Sequence, residues 1–245
     1  VKAFFVSDLH LDSFTSTQNQ AFFNTWPEAD LLLLLGDYHN RAVTRDNIAP
    51  SVEDLITPIA DKYNKVLYIA GNHDSWGRTI RKTKGFLKPK SDKFVFLNND
   101  SVVIDGVTFF GGTLWYKNLS FSQSWCDEVR IFDGVAKIPV ENQRFKNKLS
   151  KLKTDNLVVM SHHLPSFSCV HEDYADNVTN QFFVDADCEA IISELKPKLW
   201  LHGHTHKRIN FMDNKTRIMA NPRGYYGENT SEFYQEMPKF GLIDI

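Results

Sequence analysis

Cysteine is scarce in this chain: Cys126, Cys169 and Cys188 are the only three among 245 residues. An odd number, widely spaced and without a C-x-x-C pair, excludes a disulfide framework and a thiolate zinc site. It sets the expectation of reduced thiols and a cytoplasmic protein. Long apolar runs are also missing. None approaches the roughly 20 residues of a membrane-spanning helix, and no leader-like pattern precedes the first apolar run, so no membrane partner is expected. Charge of one sign is lacking too. A net charge of −2 offers no general attraction to nucleic acid, which leaves only a local basic groove as a route to such a partner. No internal repeat, low-complexity tract or linker divides the chain, and residues 1–245 are expected to form a single domain.

What is present is an alternation of short apolar runs with helical patterns, the signature of an α/β chain. Ala3–Val6, Leu31–Leu35, Val66–Ala70, Leu157–Met160 and Lys198–Leu201 predict buried strands. Thr17–Trp26, Ser51–Tyr63 and Asp185–Leu195 predict helices. Residues 120–152 predict a mostly helical stretch, broken near Asp133-Gly134 and at Pro139. Further strands are predicted at Phe94–Leu97, Val102–Ile104, Val107–Phe110, Lys207–Met212 and Thr216–Ala220, with a last one near Phe240–Ile245. The Asp105-Gly106 pair marks a hairpin. Between Ala220 and the last strand lies a polar segment rich in Gly, Asn and Glu. Two sheets with helices outside them follow from this order.

Each of the five buried runs ends in polar residues: Ser7-Asp8-Leu9-His10, Gly36-Asp37, Gly71-Asn72-His73-Asp74, Ser161-His162-His163 and His202-Gly203-His204-Thr205-His206. Of the nine histidines, only His171 lies away from these endings. Ligands of α/β sheets bind beyond the carboxyl ends of the strands. A mixture of carboxylates and imidazoles without cysteine suits Mn, Fe, Zn, Co or Ni. Asp8 and His10 project to the same side if the strand continues, and Asp37 has two oxygens with which to bridge two ions. Two divalent ions about 3.5–4 Å apart can generate a hydroxide and stabilise displacement at phosphorus.

The order Asp8-x-His10, Gly36-Asp37, Gly71-Asn72-His73-Asp74, His162, Gly203-His204-x-His206 resembles the calcineurin-like metallophosphoesterase superfamily. Gly112-Thr113-Leu114-Trp115, His162-His163-Leu164-Pro165-Ser166 and Asn221-Pro222-Arg223-Gly224-Tyr225 are similar to a bacterial-type branch of it. The resemblance implies a four-layer αββα sandwich of two mixed β-sheets flanked by helices, and a dinuclear centre binding two divalent transition-metal ions, with Mn supporting activity. It implies that Asp8, His10 and His206 hold one ion, that Asn72, His162 and His204 hold the other, and that Asp37 bridges them. His73 matches the histidine that contacts substrate oxygens and assists the leaving group. His163 matches a neighbour of the ligands or of the phosphate, and His202 stands beside the ligand set.

The implied activity is hydrolysis of a phosphomonoester or phosphodiester by a metal-bridging hydroxide. A nuclease of the same superfamily and a non-catalytic protein-binding scaffold of the same fold are the alternatives. Gly36-Asp37-Tyr38-His39-Asn40-Arg41 departs from the protein-phosphatase motif at His39 and Asn40, although Arg41 stands where that motif offers a phosphate clamp. Arg223 either fixes the tail through a carboxylate pair or reaches substrate phosphate. Tyr174, Tyr225 and Tyr226 are expected to be packing or loop residues. Residues 115–152 either roof the site or form a plain covering layer. The basic run from Arg78 to Lys90 is expected to be a solvated face.

Overall fold

The computed structural model describes residues 1–40, 50–117 and 126–245. Its first sheet contains β1 (Lys2–Val6), β2 (Ala29–Leu34), β3 (Tyr63–Tyr68), β4 (Phe94–Phe96) and the late strand β11 (Leu242–Asp244), in the order β11-β1-β2-β3-β4. The second contains β5 (Asp100–Ile104), β6 (Val107–Gly112), β7 (Leu157–Ser161), β8 (Leu199–His202), β9 (Ile209–Asp213) and β10 (Thr216–Ala220), in the order β5-β6-β7-β8-β10-β9. The interior pairs are parallel. Both sheets are mixed because β11, β5 and β9 pair antiparallel to their neighbours.

Strands that are apolar on both faces need cover on both faces, and the packing shows where each alternate residue goes. Ala3, Phe5, Leu31 and Leu33 from the first sheet meet Phe109, Val158, Met160 and Leu201 from the second in one cluster between the sheets. Phe4, Val6, Leu32 and Leu34 face outward instead. They pack on Phe22 and Phe23 of α1 (Ser16–Asn24), Val52 and Ile56 of α2 (Val52–Ile56) and Met237 of α7 (Ser231–Gly241). On the far side Val159, Trp200 and Ile218 pack on Phe145 and Leu149 of α5 (Gly134–Leu149) and Ile192 of α6 (Cys188–Leu195). The result is the expected αββα sandwich of two mixed sheets.

Two local expectations are corrected. The polar segment before the last strand contains α7, which begins where the Thr230 side chain accepts from the Phe233 N–H. The basic run keeps the solvated face expected of it, with Arg81, Lys82, Lys88 and Lys90 exposed on and beyond α3 (Ile80–Phe86), which Thr79 caps. Pro139 does not break α5. The proline sits one turn into the helix, and the carbonyl that loses its partner belongs to the exposed residue Val135. The break at Asp133-Gly134 is present, between α4 (Cys126–Arg130) and α5.

Candidate metal centre

The chain leaves its strands abruptly at the carboxyl edge. Strand β1 stops at Val6, and Asp8 and His10 both adopt left-handed backbone with φ of 52° and 39°. They therefore do not share a face by strand continuation, as the two-residue spacing suggested. Asp37, His204 and His206 are also left-handed, with φ of 57°, 67° and 51°. Such conformations cost a non-glycine residue about 1–3 kcal/mol each and concentrate at functional sites.

These turns converge. One potential ligand atom from each of Asp8, His10 and His206 lies within 4.8 Å of the others, and the same holds for Asp37, His162 and His204, and for His10, Asp37 and His73. Two glycines permit this approach. A Cβ on Gly71 would stand 2.0 Å from Asp37 Oδ1, and one on Gly203 would stand 2.8 Å from Asp8 Oδ2.

The surrounding hydrogen bonds orient the donors. Both Asp8 oxygens accept from the His204 N–H at 3.0 Å. Asp37 Oδ1 accepts from the His73 N–H at 2.9 Å, whereas its buried Oδ2 has no hydrogen-bond partner. Asp74 accepts from the N–H groups of Gly71, Asp37 and Tyr38 at 2.8, 2.9 and 3.2 Å, tying the turns after β2 and β3 together. His206 Nδ1 lies 2.7 Å from Glu228, leaving Nε2 facing His10 Nε2 at 3.1 Å. His162 Nδ1 lies 2.8 Å from the Leu35 carbonyl, so its Nε2 faces Asp37 Oδ2 at 3.3 Å and Asn72 Oδ1 at 3.0 Å. Carboxylate or carbonyl partners of this kind set the tautomer of metal-binding histidines. Asn72 is itself oriented, its Nδ2 donating to Asp127 at 2.9 Å.

Electrostatics point the same way. Burial pushes the Asp37 carboxyl up to about 6, partly offset by His162. Burial opposes a charge on His162 and His206, yet Asp37 lifts His162 to about 9, and Asp8 with Glu228 lifts His206 to about 10. Burial also acts on Asp8, but its contacts with His206 hold the carboxyl below its ordinary range. Burial, reinforced by nearby imidazoles, depresses His73 to about 3. Buried carboxylates surrounded by imidazoles, with an orphaned Asp37 oxygen and an orphaned His204 Nε2, form a donor set that fits divalent cations.

His163 stands apart from these groups, with Nδ1 3.3 Å from the Thr113 carbonyl and its ring 4.4 Å from that of His204. His202 is buried with Nδ1 3.0 Å from the Gly203 carbonyl. Arg223 does not line the cavity over the centre, nor does it pair with a carboxylate among the described residues. It fixes the tail by donating to the Leu9 carbonyl at 3.3 Å and to Asn19 Oδ1 at 2.6 Å. Arg41 lies outside the described residues. Of residues 115–152, α4 reaches the site through Cys126 and Asp127, while α5 covers the second sheet.

Sequence reasoning missed several neighbours. Trp76 stacks on His73 with ring centroids 3.5 Å apart, and its Nε1 donates to Asp127 at 2.7 Å. Tyr225, expected to be a packing or loop residue, lies 4.2 Å from the His10 ring centroid, with its hydroxyl 3.2 Å from His73 Nε2. A cavity of about 360 Å³ opens above Asp37, Asn72 and His73. Part of its wall comes from the loop after β7, including Val170, Tyr174 and Phe183.

Two mixed sheets carrying clustered histidines and aspartates beyond their parallel strands define a metal-dependent phosphoesterase. The chain belongs to the calcineurin-like phosphoesterase family, whose model matches residues 1–208, and it is a phosphoric ester hydrolase. An uncharacterized protein of Acanthamoeba polyphaga mimivirus is 26% identical over 276 residues, spanning 93% of this chain and 92% of its own. Among solved structures, the phosphopantetheinyl hydrolase of Mycobacterium tuberculosis superposes with a TM-score of 0.71 at 14% identity, covering 100% of this chain and 95% of its own. TT1561 of Thermus thermophilus gives 0.56 at 12% identity, over 99% and 96%. GAP50, the anchor in the inner membrane complex of Plasmodium, gives 0.55 at 14% identity, over 94% and 76%. At these identities the structures share the fold, and the side chains at the strand ends carry the chemical argument. Among the described residues, no helix is long and apolar enough to cross a membrane.

Proposed function

We propose that the chain hydrolyses a phosphomonoester or phosphodiester at a dinuclear centre. Asp8, His10 and His206 would hold one divalent cation, and Asn72, His162 and His204 the other, with Asp37 shared. The observation that carries this reading is the juxtaposition of two ligand groups, one around Asp8 and one around Asp37, with His10 close to both carboxylates. When bound, two such cations supply an activated water and positive charge for the phosphoryl group.

The chain's own residues supply the rest. His73 is held by its backbone bond to Asp37 and by Trp76, and its Nε2 faces the cavity beside the Tyr225 hydroxyl. It is positioned to donate to a phosphoryl or leaving-group oxygen. The cavity wall formed by Leu164, Val170, Tyr174 and Phe183 suits an organic group on the ester, and the substrate read from it is a phosphorylated small molecule in preference to nucleic acid. A cytoplasmic setting belongs to the same reading, supported by Cys126, Cys169 and Cys188 as free thiols.

Turnover on a panel of phosphomonoesters, phosphodiesters, nucleotides and nucleic acids with Mn present tests the proposal. Hydrolysis of a small ester is expected. Activity confined to nucleic acid would replace this reading with the nuclease, and no activity on any ester with metal bound would favour a scaffold.

A further inference from the structure

A second cavity, of about 490 Å³, lies between α1 and the beginning of α7. The buried Arg223 lines it, with 2% of its surface exposed. Its guanidinium carbon stands 3.6 Å from the Phe14 ring centroid and 4.1 Å from that of Phe22. Nη1 is engaged by the Leu9 carbonyl and Asn19, but Nε and Nη2 have no hydrogen-bond partner among the described residues. Arg208 is the informative contrast. It too lies against aromatic rings, those of Phe233 and Phe240, and its buried Nε has no partner, yet its Nη1 is paired with a carboxylate, donating to Glu236 at 2.9 Å. A buried cation is costly unless an anion pairs with it, and the lining of this cavity carries no carboxylate among the described residues. The Tyr234 hydroxyl, a buried polar atom without a hydrogen-bond partner, belongs to a residue of the same lining.

We infer that this cavity binds a small carboxylate carried on an apolar body. The Nε–Nη2 edge of a guanidinium takes a carboxylate through two parallel hydrogen bonds, and the Tyr234 hydroxyl is a further donor. The start of α7 at Ser231 adds the positive end of a helix dipole. Phe14, Ala21 and Phe22 receive the apolar body. The pocket is separate from the metal centre but braces it. The Arg223 N–H donates to the Ser7 carbonyl and the Gly224 N–H to the Asp8 carbonyl, both at 3.0 Å.

Calorimetric titration of benzoate into the full, metal-loaded chain tests the inference, with inorganic phosphate present in excess to fill the candidate active site. Gln18 lines the cavity and accepts from the Thr15 N–H at 2.9 Å in a capping box. Gln18→Glu keeps that cap while placing a negative charge in the cavity. Saturable binding of one benzoate per chain is expected, weakened at least about tenfold by Gln18→Glu with no fall in the variant's melting temperature. Absence of saturable binding with phosphate present would overturn the proposal. So would equal affinity in Gln18→Glu, which would place benzoate elsewhere.

Discussion

Asn72 presents its carbonyl oxygen to His162 because Asp127 accepts from its Nδ2, and the same Asp127 oxygen accepts from Trp76, which supports His73. One carboxylate thus orients residues on two sides of the centre. Asp127→Ala is expected to weaken metal binding about 10–100-fold, the usual effect of removing a partner that orients a ligand. A metal titration of variant and wild type reads this, and unchanged affinity would remove Asp127 from the account. His73→Ala should instead keep both metals and lose about 10²–10⁴-fold in kcat. The loss should be smaller for nitrophenyl esters, which need little help with the leaving group. Loss of a metal would make His73 a ligand, and equal losses on good and poor leaving groups would leave it a phosphate contact only. The ligand-type residues were legible because they interrupt apolar strands, where polar side chains need a reason. Asp127, Glu228 and Tyr225 were not. They come from a helix and a polar segment, where such residues are ordinary, and only tertiary folding brings them to the centre.

At the scale of elements, the buried parallel strands were legible because both faces are covered and their sequences run apolar throughout. Helix α7 was hidden because Pro238 lies inside it and the Gly-, Asn- and Glu-rich stretch before it reads as loop. The left-handed turns at Asp8, His10, Asp37, His204 and His206 were also invisible, because no local rule predicts positive φ at those residue types in succession. The glycines beside them are the sequence trace of that geometry. A Cβ on Gly203 would crowd the Ser7 Cβ at 2.9 Å and His162 Nδ1 at 3.1 Å, besides the Asp8 carboxylate. Gly203→Ala is therefore expected to displace both halves of the ligand set and sharply reduce metal content while the sheets persist. Elemental analysis with circular dichroism checks this. Full metal content in that variant would show that the turn can shift freely.

For the whole molecule, the buried centre couples stability to pH and to metal. Without metal, His162 and His206 are raised to about 9 and 10, above the ordinary imidazole value of 6.5. The folded protein then binds more protons than the unfolded chain between those values. Their stabilisation is full below about pH 6.5 and is lost as pH rises toward 9–10. His73 and His202, held to about 3 and about 4 chiefly by burial, act oppositely. Protons bind preferentially to the unfolded state between those values and 6.5, so their effect is to raise stability as pH climbs toward 6.5. The melting temperature of the metal-free protein should fall from near pH 6.5 toward pH 9, and metal should raise it most on the alkaline side, where ligands are already deprotonated. A melting temperature that rises over that range without metal would contradict this.

The sharing of Asp37 between two cations is the claim on which the rest depends, and metal stoichiometry tests it most directly. Elemental analysis of the chain reconstituted with Mn, beside an equally treated Asp37→Ala variant, should give two ions per chain in the wild type and loss of both in the variant. A wild type that holds no transition metal, or a variant that keeps both ions, would contradict a centre built around that carboxylate.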